Sequence, residues 1–173
     1  MSEEQVVTLP ATRTFWDWRE IANLDIGEIG ERTWPQYTVE EFRGNVEELE
    51  ATLIESGEVL VGKETEELCP ITNSFGDGCY VREWQCPAGV FTVSRLHKFA
   101  HPFFVLEGDV SVMTEDGVQR IKAPHYGMTM PGTKRVLYTH TPTKWVTVHV
   151  TDLNDPDEIV EEMTAQTYKE LYE

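Results

Sequence analysis

The stretch Gly89-Val90-Phe91-Thr92-Val93-Ser94-Arg95-Leu96-His97-Lys98-Phe99-Ala100-His101-Pro102-Phe103-Phe104-Val105-Leu106-Glu107-Gly108 decides the fold. It opens behind the turn Pro87-Ala88-Gly89, runs as a strand from Val90 to Leu96, breaks at a corner, and resumes as a strand from Phe103 to Leu106. Glu107-Gly108 then turns the chain into the next apolar run. β-branched and aromatic residues in short runs between turn residues are the mark of strands.

The same grammar extends in both directions. Tyr80 to Gln85 alternates like a strand behind the loop Gly76-Asp77-Gly78. Val110 to Met113 and Val118 to Lys122 flank Glu115-Asp116-Gly117, a hairpin turn because Asp-Gly accepts positive φ cheaply. Gly127 to Met130, Val136 to Thr139 and Lys144 to Val150 complete about eight strands. Short strands at this spacing predict an all-β sandwich or barrel over residues 58–152.

Helices are predicted on either side. In residues 38–55, Thr38 with Glu41 makes a capping box, and Val39, Phe42, Val46, Leu49 and Leu53 form one apolar stripe. Glu40, Glu47, Glu48 and Glu50 form a solvated acidic face opposite, and Gly57 ends the helix. This helix belongs to an N-terminal extension, residues 1–57, in which Trp16, Trp18 and Trp34 are expected to pack on the domain itself or on a neighbour. Within residues 153–173 a single C-terminal helix is predicted over 155–172, capped by Asp155 with Pro156 in its first turn.

Composition narrows the function. Lys plus Arg number 14 against 31 Asp plus Glu in 173 residues, a formal net charge of −17. Nucleic-acid affinity is mostly cation-driven, so nucleic acid is not an expected partner. No apolar run approaches the roughly 20 residues of a membrane helix, and no leader pattern follows Met1, so a cytoplasmic protein without a membrane partner is expected. Cys69, Cys79 and Cys86 contain no CxxC and read as three reduced thiols, with a Cys79–Cys86 bridge as the alternative.

All five histidines, His97, His101, His125, His140 and His149, fall in the strand-rich half. Neutral imidazoles ligate divalent transition metals, here Fe, Zn, Ni or Mn, and a barrel interior gathers residues from several strands onto one point. Trp145, Thr147 and His149 share one face of the last strand. His140 is expected at the rim and His125 on the surface.

Residues 89–149 resemble the cupin superfamily, whose fold is a double-stranded β-helix, or jelly-roll, barrel. Anchored on Val105-Leu106-Glu107-Gly108, the first cupin motif places His101 at the acidic-ligand position, His97 at the second histidine and Arg95 at the first. The second motif looks like Gly127 through Pro131-Gly132-Thr133-Lys134-Arg135, with Arg135 where the family has a histidine. Still closer is the resemblance to uncharacterised cupin-like proteins of bacteriophage genomes, carried by His97-Lys98-x-x-His101, Thr114 to Gly117, Ala123-Pro124, Pro131 to Arg135, Tyr138-x-His140-Thr141 and Trp145-x-Thr147-x-His149.

The resemblance implies a His-lined cavity with His97, His101 and His149 as metal ligands, and Arg95, Arg135, Tyr138 and His140 around a small anionic molecule. Two inward arginines cannot stay unpaired. Either an anionic ligand is clamped by both forks, or acids such as Glu83 or Glu107 pair with them internally. Three functions stay open: a metal-dependent cupin acting on a small molecule, a metal-free ligand-binding cupin, and a non-catalytic phage assembly protein. The last would sit in the virion or host cytoplasm, as a homo-oligomer or with other virion proteins.

Overall fold

A computed structural model describes residues 5–7, 38–57, 59–61 and 63–173. Trp16, Trp18 and Trp34 fall outside these residues.

Helix α1 (Val39–Ser56) forms where the stripe predicts it. The Glu41 amide donates to Thr38 Oγ1 at 3.2 Å and the Thr38 amide donates to Glu41 Oε2 at 2.8 Å, so the capping box is complete. Phe42, Val46, Leu49 and Leu53 are buried, while Val39 at the first turn is exposed. The acidic face is less solvated than its pattern suggests. Glu50 takes the ammonium of Lys134, itself 1% exposed, and Glu47 accepts the Tyr168 amide at 2.9 Å. Two of the four acids therefore dock the helix rather than solvate it.

The strands are β1 (Gln5–Val7), β2 (Val59–Val61), β3 (Ile71–Gly76), β4 (Cys79–Cys86), β5 (Phe91–Val93), β6 (Leu96–His97) and β7 (His101–Glu107). They continue as β8 (Asp109–Thr114), β9 (Gly117–Lys122), β10 (His125–Thr129), β11 (Val136–Thr139), β12 (Thr143–Val150) and β13 (Thr164–Ala165). One sheet runs β2-β1-β5-β11-β8-β9 and a second β10-β7-β12-β4-β3. Each holds four of the eight strands β4, β5 and β7 to β12, and among those eight only β8 and β9 are consecutive neighbours in one sheet. That alternation is the jelly-roll order. The all-β barrel with flanking helices is thus the fold expected from the strand grammar.

Alternation sorts the side chains. Phe103, Val105, Val112, Leu137, Trp84 and Trp145 point inward and fill one part of the interior. Phe91, Val93, Met113 and Val136 point outward from the first sheet and pack under α1.

Several elements depart from expectation. The strand expected from Val90 to Leu96 is two, β5 and β6, in different sheets, and β1 of the N-terminal extension joins the first sheet between β2 and β5. Helix α2 (Lys63–Leu68) and strand β3 occupy a stretch without a clear sequence signal. The C-terminal helix is two helices, α3 (Pro156–Met163) and α4 (Tyr168–Tyr172), with β13 between them. Thr164 and Ala165 pair with His97 and Leu96, and the Lys98 amide donates to Met163 O at 2.8 Å. β6 wins these residues from the helix, and Thr167 recaps it by accepting the Glu170 amide at 3.2 Å.

None of the three cysteines is in a disulfide. Cys79 and Cys86 are the two ends of β4, roughly 23 Å apart at about 3.3 Å per residue, beyond the reach of a disulfide. The thiol beside Cys86 is Cys69, with sulfurs 3.0 Å apart and both residues buried.

Gly108 makes the β7–β8 corner at φ +109°, and a Cβ there would lie 2.5 Å from Thr143 Oγ1 and 2.9 Å from Pro142 O. Gly108→Ala is expected to cost on the order of 3 kcal/mol, lowering Tm by roughly 6–12 °C in calorimetry. An unchanged Tm would show that the corner has another way to close.

Candidate functional site

The apolar filling does not occupy the whole barrel. Beside it lies a cavity of about 300 Å³ walled by β3, β4, β5, β6, β11 and β12 and closed by α2 and α3. The inward positions of β4, Tyr80, Arg82 and Trp84, line it together with Thr147 and His149 of β12. Ser94, Arg95 and His97 enter from the irregular chain around β5 and β6, and Arg135 enters just ahead of β11. Glu66 of α2 and Asp157 of α3 also line it, and both are exposed residues.

Three histidines meet beside it: His97 and His149 line the cavity, and the His101 ring packs against both. Ring centroids are 4.4 Å apart for His97–His101, 4.2 Å for His101–His149 and 6.3 Å for His97–His149. His101 and His149 reach one place because β7 and β12 are neighbours with Phe103 opposite Thr147, each two residues from its histidine, and His97 of β6 brings its ring to theirs. His101 Nδ1 lies 3.2 Å from Phe99 O, and His149 Nε2 lies 3.1 Å from Thr147 Oγ1. His97 Nδ1 and His101 Nε2 are buried without a hydrogen-bond partner.

Desolvation is the main cause holding all three imidazoles neutral. Burial, reinforced by His101, Arg135 and His149, keeps His97 well below its usual range. Burial brings His101 down to about 4, against the opposing pull of Phe99 O and with the help of Arg135. Burial, then the neighbouring His101 and Arg82, brings His149 down to about 3. His97 retains accessible surface, and as a lining residue it shows that surface to the cavity.

Arg135 is the second feature. The residue is 7% exposed. Its Nη2 donates to Thr129 Oγ1 at 2.8 Å, and its guanidinium carbon lies 5.2 Å from the Phe103 ring centre and 5.8 Å from that of Trp145. Its backbone amide is held by Ser94 Oγ at 2.9 Å. Burial alone lowers its pKa to about 10, so the group remains charged at neutral pH. No ion pair to Arg135 is found among the described residues. The acids that internal pairing would use are engaged elsewhere: Glu83 accepts from Gln85 Nε2 at 2.7 Å, and Glu107 pairs with Lys144 at 3.3 Å.

The sequence-predicted residues therefore divide. His97, His101 and His149 come together, and Arg95 and Arg135 line the same cavity. Arg95 faces the Gln166 amide, whose oxygen, oriented toward it, accepts from Nη1 at 2.6 Å and Nη2 at 3.1 Å. Tyr138 and His140 do not line the cavity. Tyr138 points outward from the first sheet and packs beside the cluster under α1. Its ring meets His140 edge-on at 5.0 Å, and His140 Nε2 lies 2.8 Å from Ser111 Oγ. Alternation from the inward Arg135 explains the placement of Tyr138, three residues along. Ser111 is 1% exposed, so this Ser–His pair is closed to substrate. His125 begins β10 and is exposed.

Sequence reading passed over Arg82. The signal was present, since Tyr80-x-Arg82-x-Trp84 alternates and puts Arg82 on the face of two core aromatics.

No family model matches this chain, and no curated protein matches it. Solved structures do resemble it. A cupin 2 domain-containing protein from Halorhodospira halophila aligns at 15% identity and TM-score 0.44, covering 56% of this chain and 77% of its own. An acetylacetone dioxygenase from Acinetobacter johnsonii aligns at 17% identity and TM-score 0.40, covering 50% and 64%. The DMSP lyase DddQ from Ruegeria pomeroyi aligns at 16% identity and TM-score 0.46, covering 54% and 52%. The fold assignment rests on the strand order itself. Among the described residues, no helix is long and apolar enough to cross a membrane.

The depressed histidines give stability a definite pH dependence. An unfolded-state imidazole near pH 6.5 binds a proton that the native site refuses, so stability is full above about pH 6.5 and falls as pH drops toward 4. Between pH 7 and pH 5, His101 and His149 are each expected to cost on the order of 1–2 kcal/mol in denaturant titrations. His149→Gln should shrink the loss; an equal loss in that variant would place its origin elsewhere.

Proposed function

We propose that the cavity binds a small molecule carrying a carboxylate or phosphate group, with Arg135 as its inner anchor. The observation that carries this reading is a buried guanidinium with a hydroxyl and two ring faces around it and no carboxylate among the described residues. Burying a charge without a counter-ion costs several kcal/mol, and a bound anion offsets that cost by charge-assisted hydrogen bonds. Arg82 and Arg95 add positive potential to the same walls. The neutral imidazoles supply hydrogen-bonding nitrogens without repelling a cation or attracting a second anion. A cavity of about 300 Å³ suits a metabolite-sized ligand and excludes a polymer.

A second reading has its own support, the unpartnered nitrogens His97 Nδ1 and His101 Nε2 on rings 4.4 Å apart. Two neutral imidazole nitrogens suit a divalent transition metal such as Fe, Zn, Ni or Mn. His97 and His101 would hold it, and His149 stands beside them with Nε2 on Thr147 Oγ1. Among the described residues no three His, Cys, Asp or Glu side chains form a ready ligand set. Such a metal would supply Lewis-acid polarisation to the anion that Arg135 orients. This version accommodates the cupin-like chemistry on small molecules that the resemblance implies.

Two measurements test these readings. Calorimetric titration with phosphate and with small mono- and dicarboxylates should show one site per chain, weakened roughly 10- to 100-fold in Arg135→Met. The same substitution should not lower Tm in the ligand-free protein, because it removes an uncompensated buried charge. A destabilised variant with unaltered anion affinity would make Arg135 a structural residue. Elemental analysis after reconstitution should find about one metal per chain under the second reading, lost in His97→Ala and His101→Ala. No metal after reconstitution removes that reading and leaves the anion site.

A further inference from the structure

The outward face of the second sheet is apolar at the β10 end. Phe104, Leu106, Tyr126, Met128 and Met130 are between 37% and 76% exposed. The register sets Tyr126 opposite Phe104 and Met128 opposite Pro102, and the Phe104 and Tyr126 rings lie 6.5 Å apart. Leu106 and Met128 follow at alternate positions, so they share that face. The five side chains expose on the order of 600 Å², at the upper end of what a monomer leaves in one patch and close to one partner's share of a stable interface.

The edge and the charge indicate what covers it. β10 is the terminal strand of its sheet, so one row of its backbone groups has no strand partner among the described residues. Edge strands are normally guarded by charged residues or Pro. From His125 to Thr133 this chain has no Asp, Glu, Lys or Arg, although its net charge is −17. Two such acidic chains repel one another everywhere except where charge is absent.

We propose that this face is a two-fold interface with a second copy of this chain. β10 pairs antiparallel with its counterpart about an axis at Gly127, the central residue of the strand, and joins the two five-stranded sheets into one. Tyr126 of each copy then packs against Met128 of the other. The pairing also bears on the cavity, because Thr129 at the end of β10 accepts the hydrogen bond from Arg135.

Sedimentation of the full chain at physiological salt, from about 1 to 100 μM, should give twice the chain mass. The double variant Tyr126→Glu/Met128→Glu should weaken association at least about 100-fold, with an unchanged circular dichroism spectrum. Val150→Glu, at an exposed position at the end of the central strand β12, should leave the dimer intact. Should the double variant misfold, amide exchange of the wild type decides: β10 amides must become more protected as concentration rises. A monomer throughout the range, or a dimer that survives the double variant, overturns the proposal. So does a monomer whose Tyr126 is shielded from solvent at every concentration, which would assign the cover to residues 8–37 of the same chain.

Discussion

A small barrel that keeps a charged guanidinium inside must surround it with groups that tolerate it. Arg135 sets this constraint. Phe103 and Trp145 present ring faces to it, Thr129 accepts one of its hydrogens, and Ser94 accepts its amide proton. These contacts come from β7, β12, β10 and the chain after β5, so three of the eight barrel strands and a residue following a fourth hold one residue. The arrangement also divides the interior. On one side Phe103, Val105, Val110 and Val112 pack as an apolar core, with Trp84, Trp145 and Leu137 forming the wall it shares with the chamber. On the other lies the chamber with the three imidazoles.

That division explains the electrostatics. The histidines stay neutral because burial desolvates them and the neighbouring imidazoles and arginines oppose a further positive charge. Arg135 keeps its charge because even a large desolvation penalty leaves a guanidinium protonated at neutral pH. The chamber thus carries three guanidinium groups, with the exposed carboxylates Glu66 and Asp157 also on its walls, and is neutral at its histidines, within a chain of net charge −17. An anion that enters gains from the first feature and meets no competing internal carboxylate at Arg135.

The fold was legible because its signals are local. Alternation and turn residues marked all eight barrel strands, and the capping box with its stripe marked α1. What escaped were features set by distant partners. Nothing local announces that Glu50 will meet Lys134, since the two are 84 residues apart and meet only when α1 lies on the first sheet. The break at Thr164–Ala165 was equally hidden, because the residues that win it belong to β6. Within the site, His97, His101 and His149 were chosen from residue type and clustering and do converge. Tyr138 offered a donor to a cavity ligand or a ring for an outer face, and His140 a rim imidazole; the two-residue period of β11 carries Tyr138 to the outer face.

The sequence by itself determined the eight barrel strands, the caps at Thr38 and Asp155, the acidic charge and the stock of imidazoles and guanidinium groups available to a site. Periodicity and residue chemistry act over a few neighbours and need no knowledge of the rest. The tertiary structure decided which of those groups share a chamber and which counter-ions are withheld from it. It drew Glu83 and Glu107 into contacts elsewhere and left Arg135 among rings and hydroxyls. The physical reason is that burial and pairing depend on strands far apart in the chain, whose order across the two sheets is settled only when the barrel closes.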